Sequence, residues 1–404
     1  MNPRLSSVIP AAKRLSRFSY AIRHIVEEAR KVEKAGTRVR YLNIGDPVAF
    51  GFQTPPHMID AVDRAMRAGE NGYVASAGIQ PAREAVAAEY TKRGQAISPD
   101  RVFITAGTSE AIDLALTALL DEGDEALVPV PTYPLYTAVL AKIGARERFY
   151  RTDSTRDWLP DLDHLRSQIG PRTRVLVVIT PNNPTGAVYP DAVRRELLDL
   201  ADRHNLVMLV DEVYMDVAYD GPIAPIGSLN PDVPVISLSS LSKAYLAPGW
   251  RTGWLAVGGG ERLNEVLAAI NKLAEGRLCS TGPMQHGLVA ALTGDRSHQV
   301  RFRKKLSEQA QITSDRFNAM PGMTCVTPKA AFYAMPRLTL PTGKTDVDYI
   351  VGLLRATGVL CVYGSGFNMA PEAGSFRIVF LASPKELADI YDQIADFTQS
   401  FMTS

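Results

Sequence analysis

Cysteine is scarce. Cys279, Cys325 and Cys361 lie far apart in a chain of 404 residues. So sparse and odd a set excludes a disulfide framework and points to a reducing compartment. No cysteine pair has metal-ligand spacing, and the six histidines show no His-x-x-x-His pair, which argues against a zinc site. Net charge is scarce too: 44 basic against 43 acidic residues leave +1. Such a balance offers no electrostatic footprint for nucleic acid or an anionic membrane. No stretch reaches the ~18–20 apolar residues that span a bilayer. The segment from Met1 to Tyr20 carries Arg4, Lys13, Arg14 and Arg17 without an apolar core of signal-peptide length. The expectation is a cytoplasmic protein with neither nucleic acid nor membrane as partner.

What is present is apolar material for a sizeable core, at 46% of residues. The length suits one large α/β domain with a smaller companion, or two or three domains. Short apolar runs rich in Val, Ile and Leu recur at Val102–Thr105, Glu125–Val130, Val175–Thr180, Val207–Val210, Val235–Leu238 and Trp254–Val257. Strands buried on both faces of a mainly parallel sheet have this composition. Helical patterns lie between several of them, at Glu110–Leu120 and Asp191–His204, and an amphipathic helix over 21–35 precedes them with Gly36 as its stop. The alternation predicts an α/β fold, a three-layer domain with helices on both faces of the sheet. After about residue 293 the texture changes. A long charged helix over Arg301–Met320 leads toward strand candidates at Ala331–Met335, Val359–Tyr363 and Phe376–Phe380, the makings of a smaller α+β domain.

Ligands of open α/β sheets gather at the carboxyl ends of strands. Ala106-Gly107-Thr108-Ser109-Glu110 follows the first strand and opens a helix, a setting that suits a phosphate, although a plain N-cap also explains Thr108 or Ser109. Tyr133 follows the second and could stack on a planar ring or simply pack in a Pro-rich turn. Pro181-Asn182-Asn183-Pro184-Thr185-Gly186 is a turn that also places an amide at a strand end. Asp211-Glu212-Val213-Tyr214 ends a buried strand in an acid, which is costly without a partner. That partner could be a protonated ring nitrogen, a metal or a structural ion pair. Ser239-Ser240-Leu241-Ser242-Lys243, with Arg251 beyond, offers an amine for a Schiff base beside hydroxyls and a guanidinium for a phosphate. The plainer alternative is a solvated surface lysine. Arg377, inside the apolar run Phe376-Arg377-Ile378, needs an anion. A substrate carboxylate or an internal Asp or Glu would serve.

In this order and at these separations, Asn183-Pro184-Thr185-Gly186, Asp211-Glu212-Val213-Tyr214 and Ser240-Leu241-Ser242-Lys243 resemble the class I aminotransferases of pyridoxal-phosphate fold type I. The resemblance covers nearly the whole chain, from Leu42-Asn43-Ile44-Gly45-Asp46-Pro47 to Phe376-Arg377. It implies a large cofactor-binding domain over 46–292, and a small domain formed by 1–45, with its N-terminal arm, and 293–404. It implies pyridoxal 5'-phosphate as cofactor, with Lys243 forming the internal aldimine and shuttling the Cα proton. Asp211 would pair with the pyridinium nitrogen, and Asn183 and Tyr214 would hold the phenolic oxygen. Tyr133 would stack on the ring, while Gly107, Thr108, Ser240, Ser242 and Arg251 bind the phosphate. Arg377 and Asn183, with the backbone of Gly45, would hold the substrate carboxylate. Tyr73 would reach the neighbouring cofactor in a homodimer. One departure concerns Tyr136, where aspartate aminotransferases carry a histidine behind the pyridine-binding acid. Phe18-Ser19-Tyr20-Ala21-Ile22-Arg23 and the segment after Leu42 look most like the alanine aminotransferase branch, in which Tyr20 and Arg23 would close over the site and Arg23 would bind the distal carboxylate of glutamate.

The expected reaction is a ping-pong transamination between an L-amino acid and a 2-oxo acid, with alanine and 2-oxoglutarate giving pyruvate and glutamate. An aspartate, aromatic or branched-chain aminotransferase, or a lyase or synthase on the same fold, shares the first steps. A cofactor-binding transcriptional regulator would need an added DNA-binding domain, and no basic winged-helix segment precedes residue 40.

Overall fold

The computed structural model describes residue 9, residues 11–17 and residues 21–403, with side chains described at 9, 11–16 and 25–403. Eight strands form the main sheet: β1 (Val102–Thr105), β2 (Glu125–Val130), β3 (Arg146–Asp153), β4 (Leu159–Pro160), β5 (Thr173–Ile179), β6 (Val207–Asp211), β7 (Val235–Ser240) and β8 (Gly253–Val257). Their order is β1-β8-β7-β6-β5-β2-β3-β4. All pairings are parallel except those of β8, which runs against both β1 and β7, and of β4, which runs against β3. The carboxyl ends of β1, β2, β5, β6 and β7 therefore share one edge of the sheet, and β8 begins at that same edge.

The two-residue period of a strand explains the layers. Ala126 and Val128, Val175 and Val177, and Leu209 pack into one apolar cluster with the helices Thr108–Leu119, Leu135–Ile143 and Asn264–Gly276. The intervening Leu127, Leu176, Val178, Met208 and Val210 pack into another with the helix Asp191–Arg203. Both faces are buried, which is why these strands read as unbroken apolar runs.

The C-terminal part is built differently. Its strands are short: Tyr333–Ala334, Phe376–Val379 and Val362–Tyr363 form a three-stranded sheet in the order Ala334, Val379, Tyr363 by strand, all antiparallel. Helices Ser297–Asn318, Asp346–Thr357 and Pro384–Met402 cover it. Arg40–Tyr41 pairs in parallel with Val359–Leu360, and Glu28 of the helix Ala21–Lys34 meets Arg355 at 3.1 Å, so the N-terminal segment packs with this part. No helix among the described residues is long and apolar enough to cross a membrane.

Two expectations change. Val359–Tyr363 is not one strand: Val359–Leu360 and Val362–Tyr363 belong to separate sheets, with Cys361 in neither ladder. β3 gave no apolar run, because its sequence is charged and Tyr150 is its one fully buried side chain.

Candidate active site

A cavity of about 520 Å³ opens at the shared strand edge. Of the residues singled out from sequence, Gly45, Thr108, Tyr133, Asn183, Asp211, Tyr214, Ser240, Ser242, Lys243, Arg251 and Arg377 line it. Gly107 lies beside it, against Arg251. Tyr73 is exposed and does not line the cavity of its own chain. Tyr20 and the side chain of Arg23 lie outside the described residues.

Strand parity decides which groups meet. Asp211 continues the face of Leu209, the face covered by the helix Leu135–Ile143. Tyr136 of that helix, fully buried, thus lies beneath it and donates to Asp211 Oδ2 at 3.2 Å, while the Val213 backbone N–H donates to Oδ1 at 3.2 Å. Burial pushes the Asp211 carboxyl up to about 6, against the opposing pull of those two donors and the Lys243 charge. Burial also drives the Tyr136 phenol well above its ordinary range, so it stays protonated and serves as a neutral donor. The residue that departs from the aspartate aminotransferase pattern therefore supports the acid directly.

Ser240 continues the face of Ile236 and Leu238, which packs against the helix Thr108–Leu119. Gly107 is the N-cap of that helix, with φ 77°, and a Cβ there would lie 2.5 Å from Arg251 Nη2. Only glycine meets both demands. Neither Thr108 nor Ser109 is the cap; they occupy the first turn, where free N–H groups attract anions. Thr108 Oγ1 is buried and without a hydrogen-bond partner among the described residues. Because β8 runs backward, the residues just before it arrive at the edge where the other strands end. That places Arg251, held at φ 50°, with Nη2 on the Ala106 carbonyl at 3.1 Å.

Lys243 Nζ donates to the Gly45 carbonyl at 2.7 Å. Gly45 has no space for a side chain: a Cβ would collide with the Tyr333 hydroxyl and the Phe332 ring. Arg377 is 2% exposed and donates to Asn183 Oδ1 at 2.9 Å and to the Asn43 carbonyl. Its guanidinium lies 4.6 Å from the Tyr333 ring centroid and 4.8 Å from that of Phe367. Since the Asn183 carbonyl oxygen faces Arg377, the amide NH2 is the donor left for a ligand. Tyr214 and Tyr333 share a hydrogen bond of 2.9 Å between their hydroxyls. Tyr333 went unnoticed in the sequence. It sits in an apolar strand run, and nothing local sets it apart from packing aromatics.

Three cations, Lys243, Arg251 and Arg377, thus face one cavity with the buried Asp211. The charge set suits a ligand with two separate anionic groups and a cationic ring. The unpartnered Thr108 hydroxyl and the cradle at Gly107 fit a phosphate, and the raised Asp211 fits a cationic nitrogen.

Comparison with known proteins agrees with this chemistry. The family model described as aminotransferase class I and II matches residues 38–394. The chain is 35% identical to glutamate-pyruvate aminotransferase AlaA of Haemophilus influenzae over 98% of this chain and 99% of that one. It is 38% identical to the alanine aminotransferase of Mycobacterium tuberculosis over 95% and 91%. The solved alanine aminotransferase from Pyrococcus furiosus superposes with a TM-score of 0.94 at 40% identity, covering 97% of this chain and all of that one (100%).

Proposed function

The chain belongs to the class I and II aminotransferases, and on that premise we propose that it uses pyridoxal 5'-phosphate to move an amino group between alanine and 2-oxoglutarate, as a homodimer. The observation that carries the reading is the pairing, within one cavity, of Lys243 with a buried carboxylate whose pKa is pushed up to about 6. Relatives named alanine and glutamate-pyruvate aminotransferase over nearly the full length support the choice of substrates.

When bound, the cofactor supplies an aldehyde for the amine and an electron-withdrawing ring. The protein's own residues do the rest. Asp211, held by Tyr136 and the Val213 N–H, would supply a carboxylate to the ring nitrogen. Gly107, Thr108, Ser240, Ser242 and Arg251 would hold the phosphate. Tyr133 would pack against the ring, and Asn183 and Tyr214 would donate to its phenolic oxygen. Arg377, fixed between two aromatic rings, binds the substrate carboxylate and turns Cα toward Lys243. Lys243 Nζ, once free, takes the proton from Cα and returns it as a general base and acid. Arg23 and Tyr20 are assigned to glutamate's distal carboxylate on the resemblance to the alanine branch. The division into a large domain over 46–292 and a small domain of 1–45 with 293–404 is supported by the pairing of Arg40–Tyr41 with Val359–Leu360.

Purified protein supplied with the cofactor is expected to be yellow and to lose that colour on adding alanine alone. Lys243→Ala is expected to retain cofactor binding with turnover reduced by at least about four orders of magnitude. A colourless protein, or normal turnover in that variant, would overturn the reading. Initial rates with a panel of amino donors and 2-oxo acids test the substrates; a higher kcat/KM for aspartate or aromatic donors than for alanine would reassign them.

A further inference from the structure

Tyr333 makes contacts that no packing role requires. It is 2% exposed and lines the cavity. Its strand pairs with Phe376–Val379, the strand that carries Arg377, with Tyr333 opposite Val379. Its ring lies 4.6 Å from the Arg377 guanidinium, and its hydroxyl fills the place a side chain on Gly45 would need. The same hydroxyl bonds Tyr214, whose ring meets it edge to face at 5.8 Å and 86°. Tyr333 and Arg377 belong to the C-terminal part of the fold and Tyr214 follows β6 of the main sheet, so this bond crosses between the two.

A phenol has one proton to give. In the bond between Tyr214 and Tyr333 either hydroxyl is able to donate. If Tyr214 spends its proton on a ligand oxygen, Tyr333 must be the donor to Tyr214. A hydroxyl that accepts a hydrogen bond is polarised and donates more strongly in turn. We propose that Tyr333 is a positioning residue that acts through Tyr214: it fixes the direction in which the Tyr214 hydroxyl donates to the cofactor's phenolic oxygen, and ties that donation to the placement of Arg377. The proposal rests on the cofactor reading above.

Visible absorbance of the cofactor-loaded protein, titrated with pH, reads the charge on the phenolic oxygen and its surroundings without any turnover. Wild type, Tyr333→Phe, Tyr214→Phe and the double variant form the set. Losing the Tyr333 hydroxyl is expected to raise the titration midpoint by roughly 0.3–1 pH unit. Tyr214→Phe is expected to raise it further, and adding Tyr333→Phe to that background is expected to change nothing, because the path runs through Tyr214. A wild-type midpoint in Tyr333→Phe, or an equal shift on the Tyr214→Phe background, overturns the proposal. Placing 3-fluorotyrosine at 333 keeps the ring and strengthens the donor, so it is expected to lower the midpoint; no shift, or a rise, overturns it as well. In turnover, Tyr333→Phe keeps its ring against Arg377, so kcat falls several-fold with KM for the amino donor little changed; a loss confined to KM contradicts the proposal. A wild-type protein that takes up no cofactor removes the cofactor reading itself. A normally coloured wild type with an unshifted Tyr333→Phe removes only the role of Tyr333.

Discussion

Asp211 carries a cost when no cation faces it. Its folded pKa, pushed up to about 6 by burial, stands above the ordinary carboxylate value of 3.8. Below about pH 4 the carboxyl is neutral in the folded and unfolded chain alike, and burial costs little. As pH rises through 6 the folded chain must hold a buried charge, and stability falls. Glu212, buried beside it and raised to about 7, adds to the same decline. Asp211→Asn is therefore expected to stabilise the cofactor-free protein at pH 7.5 by an amount on the order of 2 kcal/mol, with no gain at pH 4. Thermal unfolding at the two pH values checks this, and a gain that is equal at both refutes it. Tyr136→Phe removes the donor to Asp211 Oδ2. The expected result is a loss of about 10- to 100-fold in cofactor affinity, the worth of one hydrogen bond to a charged group, measured by titrating the cofactor-free protein. Unchanged affinity would mean that Tyr136 only fills space. Asp211 was legible in the sequence as an acid ending an apolar run. That Tyr136 supports it was not, because the contact joins positions 75 apart.

At the scale of the element, the apolar runs gave six of the main-sheet strands almost to the residue, since both faces of each are buried. β3 escaped because a charged strand toward the sheet's edge has no such signature. The break at Cys361 escaped because an apolar run does not say which ladder each half joins. The turn from β1 into the helix Thr108–Leu119 depends on Gly107, by φ and by the nearness of Arg251. Gly107→Ala is expected to destabilise the fold by about 1–3 kcal/mol, because φ 77° with ψ 172° is a backbone conformation essentially reserved for glycine. It is also expected to lower cofactor affinity at least 10-fold by displacing the Arg251 guanidinium. Calorimetry and cofactor titration measure the two effects; full affinity with only the stability loss would separate the turn from the phosphate site.

For the whole molecule, Tyr73 bears on the assembly. Tyr73 is 84% exposed in the single chain. In the proposed homodimer it would reach the partner's cofactor phosphate. Sedimentation is expected to give a mass near twice 44.0 kDa, and Tyr73→Phe is expected to weaken cofactor binding several-fold without changing that mass. A monomer with full activity would refute the shared site. The sequence by itself determined six of the sheet's eight strands, the strand-end motifs and the family they resemble, because those depend on local burial and on short spacings. Tertiary structure alone decided that Tyr333 meets Tyr214 across 119 positions, that Asn183 meets Arg377 across 194, and that backward-running β8 delivers Arg251 to Gly107. Contacts of that span are set by how sheets and helices stack, and no pattern within a single segment records which distant partner it will face.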